Sequence, residues 1–383
     1  MAKHEPLLPG STLGVIGGGQ LGRYFVLEAR RLGYDTWVLD PDPVAPAMQV
    51  AAHPLVARYD DKHALGSLAL ACDAVTIEFE NVPADSLQHV ADITRLAPTA
   101  DLVAIAQDRT AEKRCALEAG LEPVPHAVIE TEADIEPAIA SISLPGIMKT
   151  ARLGYDGKGQ VRCSSADDVR AAFAACGGVV SVLEQRIELA AELSVVLARG
   201  FDGTTTFFPI AENVHRDGIL FTSTVPSRQT DDTLSEARRL AGSLAAKVGY
   251  HGVLAIEFFV TSEGRLLFNE MAPRPHNSGH YTLDATRVSQ FEAQLRVLCA
   301  LPAGDTSLQS PVTMFNLLGD LWNEQSPDWL PVVASEAARL HLYGKADARP
   351  GRKMGHVNCL AESAAESLAE ATRLYRALRP VPG

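Results

Sequence analysis

Three observations predict a chain of mixed class, α/β at its start and α+β beyond. Short apolar runs alternate with helix-spaced stretches up to residue 105, the signature of a parallel sheet. From Glu192 onward the apolar runs lengthen and follow one another with few helices between, as in an antiparallel sheet. Two glycine-rich loops, at 17–22 and 154–159, each come directly after an apolar run. The 383 residues are too many for one ordinary core, and the expected division is 1–105, 106–188 and 189–383.

Residues 12–17 read as a buried strand, and 20–32 carry Leu21, Phe25, Ala29 and Leu32 at helical spacing. A second strand, 36–39, ends at Asp40, and a third run, 74–79, leads to a helix start near Pro83. Helices are expected on both faces of this sheet. A helix over 108–119 leads into a small α+β unit, with strands at 126–129, 146–150 and 179–184 and helices at 132–140 and 166–175. Longer strands follow at 192–198, 204–208 and 219–224, covered by helices at 233–247 and 289–300. A helix over 361–378 closes the chain, and 301–310 and 326–331 read as loops.

Composition excludes several classes of function. Hydrophobic residues at 46% and charged residues at 21% fit a globular enzyme. A net charge of −13, from 34 Lys plus Arg against 47 Asp plus Glu, repels nucleic acid and anionic membranes. No stretch has the length of a membrane span or a signal peptide. The six cysteines are scattered without a metal-binding spacing, which points to reduced core residues and a cytoplasmic protein.

The first glycine loop, Gly17-Gly18-Gly19-Gln20-Leu21-Gly22, fits G-x-G-x-x-G between a strand and a helix, with Asp40 ending the next strand. Taken alone it supports an NAD-dependent oxidoreductase, with loop amides on a pyrophosphate and the acid on a ribose. It fits equally a tight packing turn, or a helix N-terminus that holds a monophosphorylated substrate.

The second loop, 149–160, carries Lys149 at a strand end and Lys158 between two glycines, a flap whose amides can close over phosphates. It lacks the Walker pattern. Glu184-Gln185-Arg186-Ile187 ends a strand and Glu192 opens the next, a backbone edge and carboxylate suited to adenine and ribose hydroxyls. Glu257 and Glu270 interrupt two apolar strands joined by Ser262-Glu263-Gly264, so a hairpin brings them together. Two acids so placed repel each other unless a cation lies between them, and magnesium, with Asn269 beside it, is the natural one. Pairing of one glutamate with a buried arginine is the structural alternative. Pro273 and Pro275 stiffen the next loop, from which Arg274, His276 and Asn277 project. Arg274 offers a planar fork for a carboxylate or bicarbonate, while His280 reads as a structural hydrogen bonder. Lys345, Arg349, Arg352 and Lys353 read as a local anion trap in an acidic chain, with a solvated basic loop as the alternative.

Over nearly its full length the chain resembles the ATP-grasp superfamily, and within it the N5-carboxyaminoimidazole ribonucleotide synthetase family. The resemblance rests on GGGQLG at 17–22, EFENVP at 78–83, GYDGKGQ at 154–160, NEMAPRPHNSGHYT at 269–282 and GRKMGH at 351–356. It implies an ATP-grasp fold behind an N-terminal parallel-sheet, Rossmann-like pre-ATP-grasp domain, and a homodimer. The implied reaction joins bicarbonate to 5-aminoimidazole ribonucleotide at the expense of ATP, with Mg2+, in purine biosynthesis. Nucleotide binding would fall to Arg109, Lys149, Gly154, Tyr155, Asp156, Gly157, Lys158, Gly159, Gln160, Glu184, Gln185, Arg186, Ile187, Glu192, His215, Asn269 and Glu270, and the metal to Glu257 and Glu270. Gln20, Leu21, Glu80, Tyr155, Asp156, Lys345, Arg352 and Lys353 would hold the ribonucleotide, with the first loop's amides facing it. Arg274, His276 and Asn277 would address bicarbonate, with Lys149 and Lys345 completing the catalytic set. An ATP-grasp ligase for another amine is the nearest alternative.

Overall fold

A computed structural model of the chain describes residues 5–152, 159–322 and 326–378. The first sheet holds β1 (Thr12–Ile16), β2 (Asp35–Asp40), β3 (His53–Val56), β4 (Ala74–Ile77) and β5 (Arg95–Leu96), all parallel, in the order β3-β2-β1-β4-β5. Central β1 sends alternate side chains to opposite faces. Leu13 and Val15 pack on Phe25 and Val26 of α1 (Gln20–Arg31). Ile16 packs on Leu65 and Leu68 of α2 (Lys62–Ala71) and Leu87 of α3 (Ala84–Ala91). Helices thus cover both faces, as the alternation predicted. A short α4 (Ala100–Ala106) leads to α5 (Arg109–Glu118), whose first turn is capped by the Asp108 carboxylate.

The second sheet is antiparallel, in the order β6 (His126–Ile129), β9 (Ser181–Gln185), β7 (Gly146–Thr150), β8 (Gln160–Cys163). Its core is closed by α6 (Ile135–Ser141) and α7 (Ala166–Ala175), the latter started by a Ser165–Asp168 capping box.

The third sheet has nine strands: β10 (Leu189–Arg199), β11 (Thr205–Phe207), β12 (Ala211–Arg216), β13 (Ile219–Val225), β14 (Gly252–Thr261), β15 (Leu266–Ala272), β16 (Val312–Leu318), β17 (Ala338–Leu342) and β18 (Lys353–Leu360). They run in the order β15-β14-β10-β12-β13-β16-β18-β17, with β11 paired to β10, and every pair is antiparallel. On β10, Leu193, Val195 and Leu197 face Leu240 and Leu244 of α8 (Asp231–Lys247). Val196 and Ala198 face the opposite way, toward Ala293 and Val297 of α10 (Gln290–Leu298). The short α9 (Thr282–Ala285) precedes α10, and α12 (Ala364–Leu378) packs on β16 and β18.

Several elements differ from the sequence reading. The stretch 326–331, expected as loop, gives way at its end to one helical turn, α11 (Leu330–Val333). The strands β3, β5, β12 and β16 and the helices α2 and α4 were not foreseen.

Candidate active site

A cleft of about 850 Å³ is lined by Gln20 at the start of α1 and Glu80 in the loop after β4, by Lys149 and Glu184 from the second sheet, and by Glu257 and Glu270 from the third. Arg109, Gln160, Gln185, Arg186, Ile187, Glu192, His215 and Asn269 also reach it, so most of the expected nucleotide set converges. Gly159 lies in the positive-φ region beside Thr150, next to the cleft-lining Gln160. Gly154, Tyr155, Asp156, Gly157 and Lys158 lie outside the described residues.

The deep wall of the cleft is ionic. Glu184, 3% exposed, lies 2.6 Å from Lys149 Nζ and 2.7 Å from Lys113 Nζ. Burial pushes its pKa up, but the two ammonium groups outweigh it and hold the carboxyl at about 2. Arg109, from the first turn of α5, places Nη1 3.2 Å from Glu270 Oε2. On the same helix Glu112 accepts the Met271 amide at 2.6 Å. Burial, then the charge of Glu270, pushes Glu112 up to about 8. At the rim His215 Nδ1 lies 2.6 Å from Glu192 Oε2. Burial draws the imidazole's pKa down, but the Glu192 hydrogen bond and the Glu257 charge lift it overall.

Glu257 and Glu270 stand opposite each other on β14 and β15, where a bulge after Glu257 interrupts the pairing. Glu257 is buried, while the Glu270 side chain keeps 41% of its surface open. Burial and the neighbouring Glu270 charge raise the pKa of Glu257. Burial acts on Glu270 as well, yet Arg109 and Lys149 hold it ionised. Between them in sequence Asn269, 8% exposed, has an Oδ1 without a hydrogen-bond partner. The alternative pairing of one glutamate with a buried arginine is thus present, Arg109 with Glu270. Yet a half-open Glu270, a Glu257 with one long hydroxyl contact and an orphaned amide oxygen still suit a hard divalent cation, one that shares its remaining ligands with phosphate and water. Among the described residues no cluster of three His, Cys, Asp or Glu side chains forms a closed metal cage.

The glycine loop corrects one expectation. Its glycine amides are taken within the protein, that of Gly17 by Leu39 O. Gly18 N donates to Asp40 Oδ2 at 2.6 Å, Gly19 N to Glu78 Oε1 at 2.6 Å and Gly22 N to Glu78 Oε2 at 2.9 Å. Asp40 also accepts the Tyr59 hydroxyl, so neither a pyrophosphate nor a ribose finds this loop unoccupied. The glycines admit the carboxylates: a Cβ on Gly19 would lie 2.2 Å from Glu78 Oε1. Gln20 and Leu21, just beyond, do line the cleft.

Glu80 and Arg274 hold each other in a two-point pair, Nε–Oε2 2.5 Å and Nη2–Oε1 3.0 Å. Burial opposes ionisation of Glu80, but Arg274 keeps its pKa low. His276 Nδ1 sits 2.8 Å from Ser278 Oγ and 3.8 Å from Glu257 Oε1. The buried Gln290 pins this loop, donating to His276 O and accepting His276 N. Asn277, 5% exposed and lining the cleft, has neither amide atom hydrogen-bonded. Lys353 lines the cleft, whereas Lys345 and Arg352 do not. Lys345 Nζ donates to Lys353 O at 2.7 Å, and Arg352 Nη1 donates to Asp347 O at 2.7 Å. His280 is fully buried with Nδ1 3.2 Å from Gln290, the structural role expected of it.

Sequence reasoning missed Glu78, Glu112 and Lys113. A signal for the last two existed: Arg109, Glu112, Lys113 and Ala116 share one helix face at i, i+3, i+4 and i+7, and it is the buried face. Charges at the spacing of an apolar stripe mark a helix that faces a polar site.

Comparison with known proteins agrees with this geometry. An ATP-grasp domain model matches residues 114–291, a ribonucleotide synthetase preATP-grasp domain model 11–107, and a phosphoribosylaminoimidazole carboxylase C-terminal domain model 312–370. The fold and cleft are those of an ATP-grasp enzyme, an ATP-dependent ligase. N5-carboxyaminoimidazole ribonucleotide synthase of Brucella melitensis is 46% identical over 354 residues, 92% of this chain and 96% of the relative. The structure of the Staphylococcus aureus synthetase with ADP superposes with a TM-score of 0.90 at 34% identity, covering 98% of this chain and 99% of that one. The Aspergillus clavatus enzyme with ADP and 5-aminoimidazole ribonucleotide gives 0.88 at 28% identity, covering 97% and 99%. The chain belongs to the N5-carboxyaminoimidazole ribonucleotide synthase family.

Proposed function

We infer that this chain carries out the family's reaction, the ATP-dependent carboxylation of 5-aminoimidazole ribonucleotide with bicarbonate in purine biosynthesis. The observation that carries the residue roles is the convergence on one cleft of Lys149, Glu257, Glu270, the Glu80–Arg274 pair and the unpartnered Asn277 amide. Bicarbonate is too poor an electrophile for an amine to attack. Transfer of the γ-phosphoryl group to a bicarbonate oxygen gives ADP and carboxyphosphate, whose phosphate leaves readily. Carbon dioxide released beside the exocyclic amine forms the new C–N bond, and the departing phosphate takes the amine proton.

In this reading Lys149 and Arg109 neutralise the phosphates in the ionic wall, with Glu184 fixing Lys149 in place. Glu192 and His215 address the ribose, and 185–187 the adenine edge. Glu257, Glu270 and Asn269 would hold magnesium, which when bound neutralises charge on the transferring phosphoryl group. Arg274, oriented by Glu80, and Asn277 orient bicarbonate, with His276 beside them. Gln20, Leu21 and Lys353 receive the ribonucleotide and its phosphate, with Lys345 and Arg352 holding the loop behind them through Lys353 O and Asp347 O. The 154–160 segment closes over the nucleotide and excludes water. The proposed domains are 1–105, 106–188 and 189–383, in a cytoplasmic homodimer. No described helix is long and apolar enough to cross a membrane, and the cysteines are free thiols.

ADP release is measured in magnesium buffer with bicarbonate, with and without 5-aminoimidazole ribonucleotide. Strong stimulation with stoichiometric loss of the free amine is expected. Unstimulated release would point to another amine, and no release at all would overturn the reading.

A further inference from the structure

One face of the third sheet is crossed by a row of polar side chains where apolar ones would be expected. Ser223 on β13, Asn213 on β12, Ser194 on β10 and Glu257 on β14 lie on four successive strands. Asn213 is paired in register with Ser223, and Ser194 with Glu257. The two serines are 1% exposed or less, Asn213 5% and Glu257 8%. Ser223 Oγ donates to Asn213 Oδ1 at 2.7 Å, Asn213 Nδ2 donates to Ser194 Oγ at 2.6 Å, and Ser194 Oγ donates to Glu257 Oε1 at 3.3 Å.

The row has one polarity. Ser194 Oγ receives the Asn213 amide proton, so its own proton turns toward the carboxylate. Asn213 is held amide-outward because its carbonyl oxygen is taken by Ser223. Each bond fixes the direction of the next, and all of them end on Glu257. A network with only a packing role would need no carboxylate at its end, because apolar residues of the same shape fill such a site at little or no loss.

We propose that Ser194, Asn213 and Ser223 are positioning residues for the divalent cation: the row pins Glu257 Oε1 and leaves the second oxygen to the metal. The inference rests on the proposed cation role of Glu257 and Glu270 and adds the device that sets Glu257 in place. Ser194 acts directly on the carboxylate, Asn213 and Ser223 through it.

The test is the magnesium dependence of thermal unfolding of the full chain at fixed ADP. In the unsubstituted protein the melting temperature is expected to rise with magnesium. If it does not, the cation reading itself fails, independently of the row. Given that rise, Ser194→Ala should move the half-saturating magnesium concentration up about fivefold, the loss of one hydrogen bond of ordinary strength, as its 3.3 Å length suits. Ser223→Ala, two bonds further away, should move it about twofold in the same direction. Ser194→Thr, which keeps the hydroxyl, should restore the original midpoint, and KM for 5-aminoimidazole ribonucleotide should stay unchanged throughout. An unchanged midpoint in Ser194→Ala overturns the proposal. So does an equal rise in KM for the ribonucleotide, which would mean general distortion. Should Ser194→Ala not fold, Ser223→Ala decides: an unmoved midpoint overturns the row.

Discussion

Asp40 and Glu78 at the first glycine loop, and Glu257 and Glu270 on β14 and β15, are two pairs of carboxylates in opposite situations. The first pair is saturated by fixed dipoles, with the amides of Gly18, Gly19, Gly22 and Asp42 and the Tyr59 hydroxyl all donating to it. Around the second, the Ser194 hydroxyl stands at 3.3 Å from Glu257 and the Arg109 guanidinium at 3.2 Å from Glu270. A carboxylate satisfied by its own backbone has finished its work on folding. One left short of donors at the wall of a cleft is ready for a partner that comes and goes. The same side-chain type is structural in one place and, in the proposed function, a cation ligand in the other, and the number of fixed donors sets them apart.

The largest expected effect breaks the second pair. Glu270→Gln keeps the shape and removes the charge, and ADP release should fall by at least about a hundredfold. Circular dichroism should show the fold intact. A variant with near-normal turnover would remove Glu270 from the chemistry and leave the contrast between the pairs without meaning.

The next effect follows from the saturation of the first pair. With the Gly18, Gly19 and Gly22 amides occupied, the proposed function leaves the ribonucleotide phosphate to Lys353, the cation of the 345–353 loop that lines the cleft. Lys353→Ala should therefore raise KM for 5-aminoimidazole ribonucleotide about tenfold, as expected for one charged contact. KM for ATP should change much less. Equal changes in both would place Lys353 outside the substrate site.

Most of the scaffold around these pairs was legible because it follows simple periods. β6, β7 and α7 begin and end where the pattern of apolar residues and caps predicted. β12 was not legible, since Ala-Glu-Asn-Val-His-Arg has no apolar alternation. Its polar residues, Asn213 and His215, are the ones turned to the polar row and the cleft, so function erased the pattern that would have revealed the strand. β3 failed for a different reason, being a largely exposed edge strand with Pro54 inside it. At the site, Glu257 and Glu270 stood out because charge interrupts apolar strands. Glu78 did not, because sequence shows a glycine loop and an acid 56 residues from Gly22 without showing that they touch. The dinucleotide pattern was present in full, and a carboxylate supplied by the same chain sits where a phosphate would.

A smaller effect tests the structural half of the contrast. Glu78→Gln turns one acceptor into a donor that faces the Gly22 amide. One unsatisfied amide costs about 1–2 kcal/mol, so the melting temperature should drop by roughly 3–6 °C. KM for ATP should remain close to that of the unsubstituted protein. A thermally neutral Glu78→Gln would mean that the loop amides find other acceptors and that the first pair is not structural after all.

The smallest effect carries the sharpest sign. In chelator-treated protein the folded state raises the pKa of Glu257, through burial and the Glu270 charge. The folded state therefore binds more protons than the unfolded one between the ordinary carboxylate pKa and the raised value. Stability contributed by this group is present at low pH and is lost as pH rises through that window. Glu257→Gln is neutral at every pH and escapes the loss. Without magnesium it should melt roughly 1–3 °C above the unsubstituted protein at pH 8, and the difference should shrink toward pH 5. Added magnesium with ADP should reverse the order at pH 8, since only the carboxylate gains from the cation. A difference that persists unchanged at pH 5 would trace the stabilisation to packing rather than charge, and Glu257 would then resemble Glu78 more than its own neighbour Glu270.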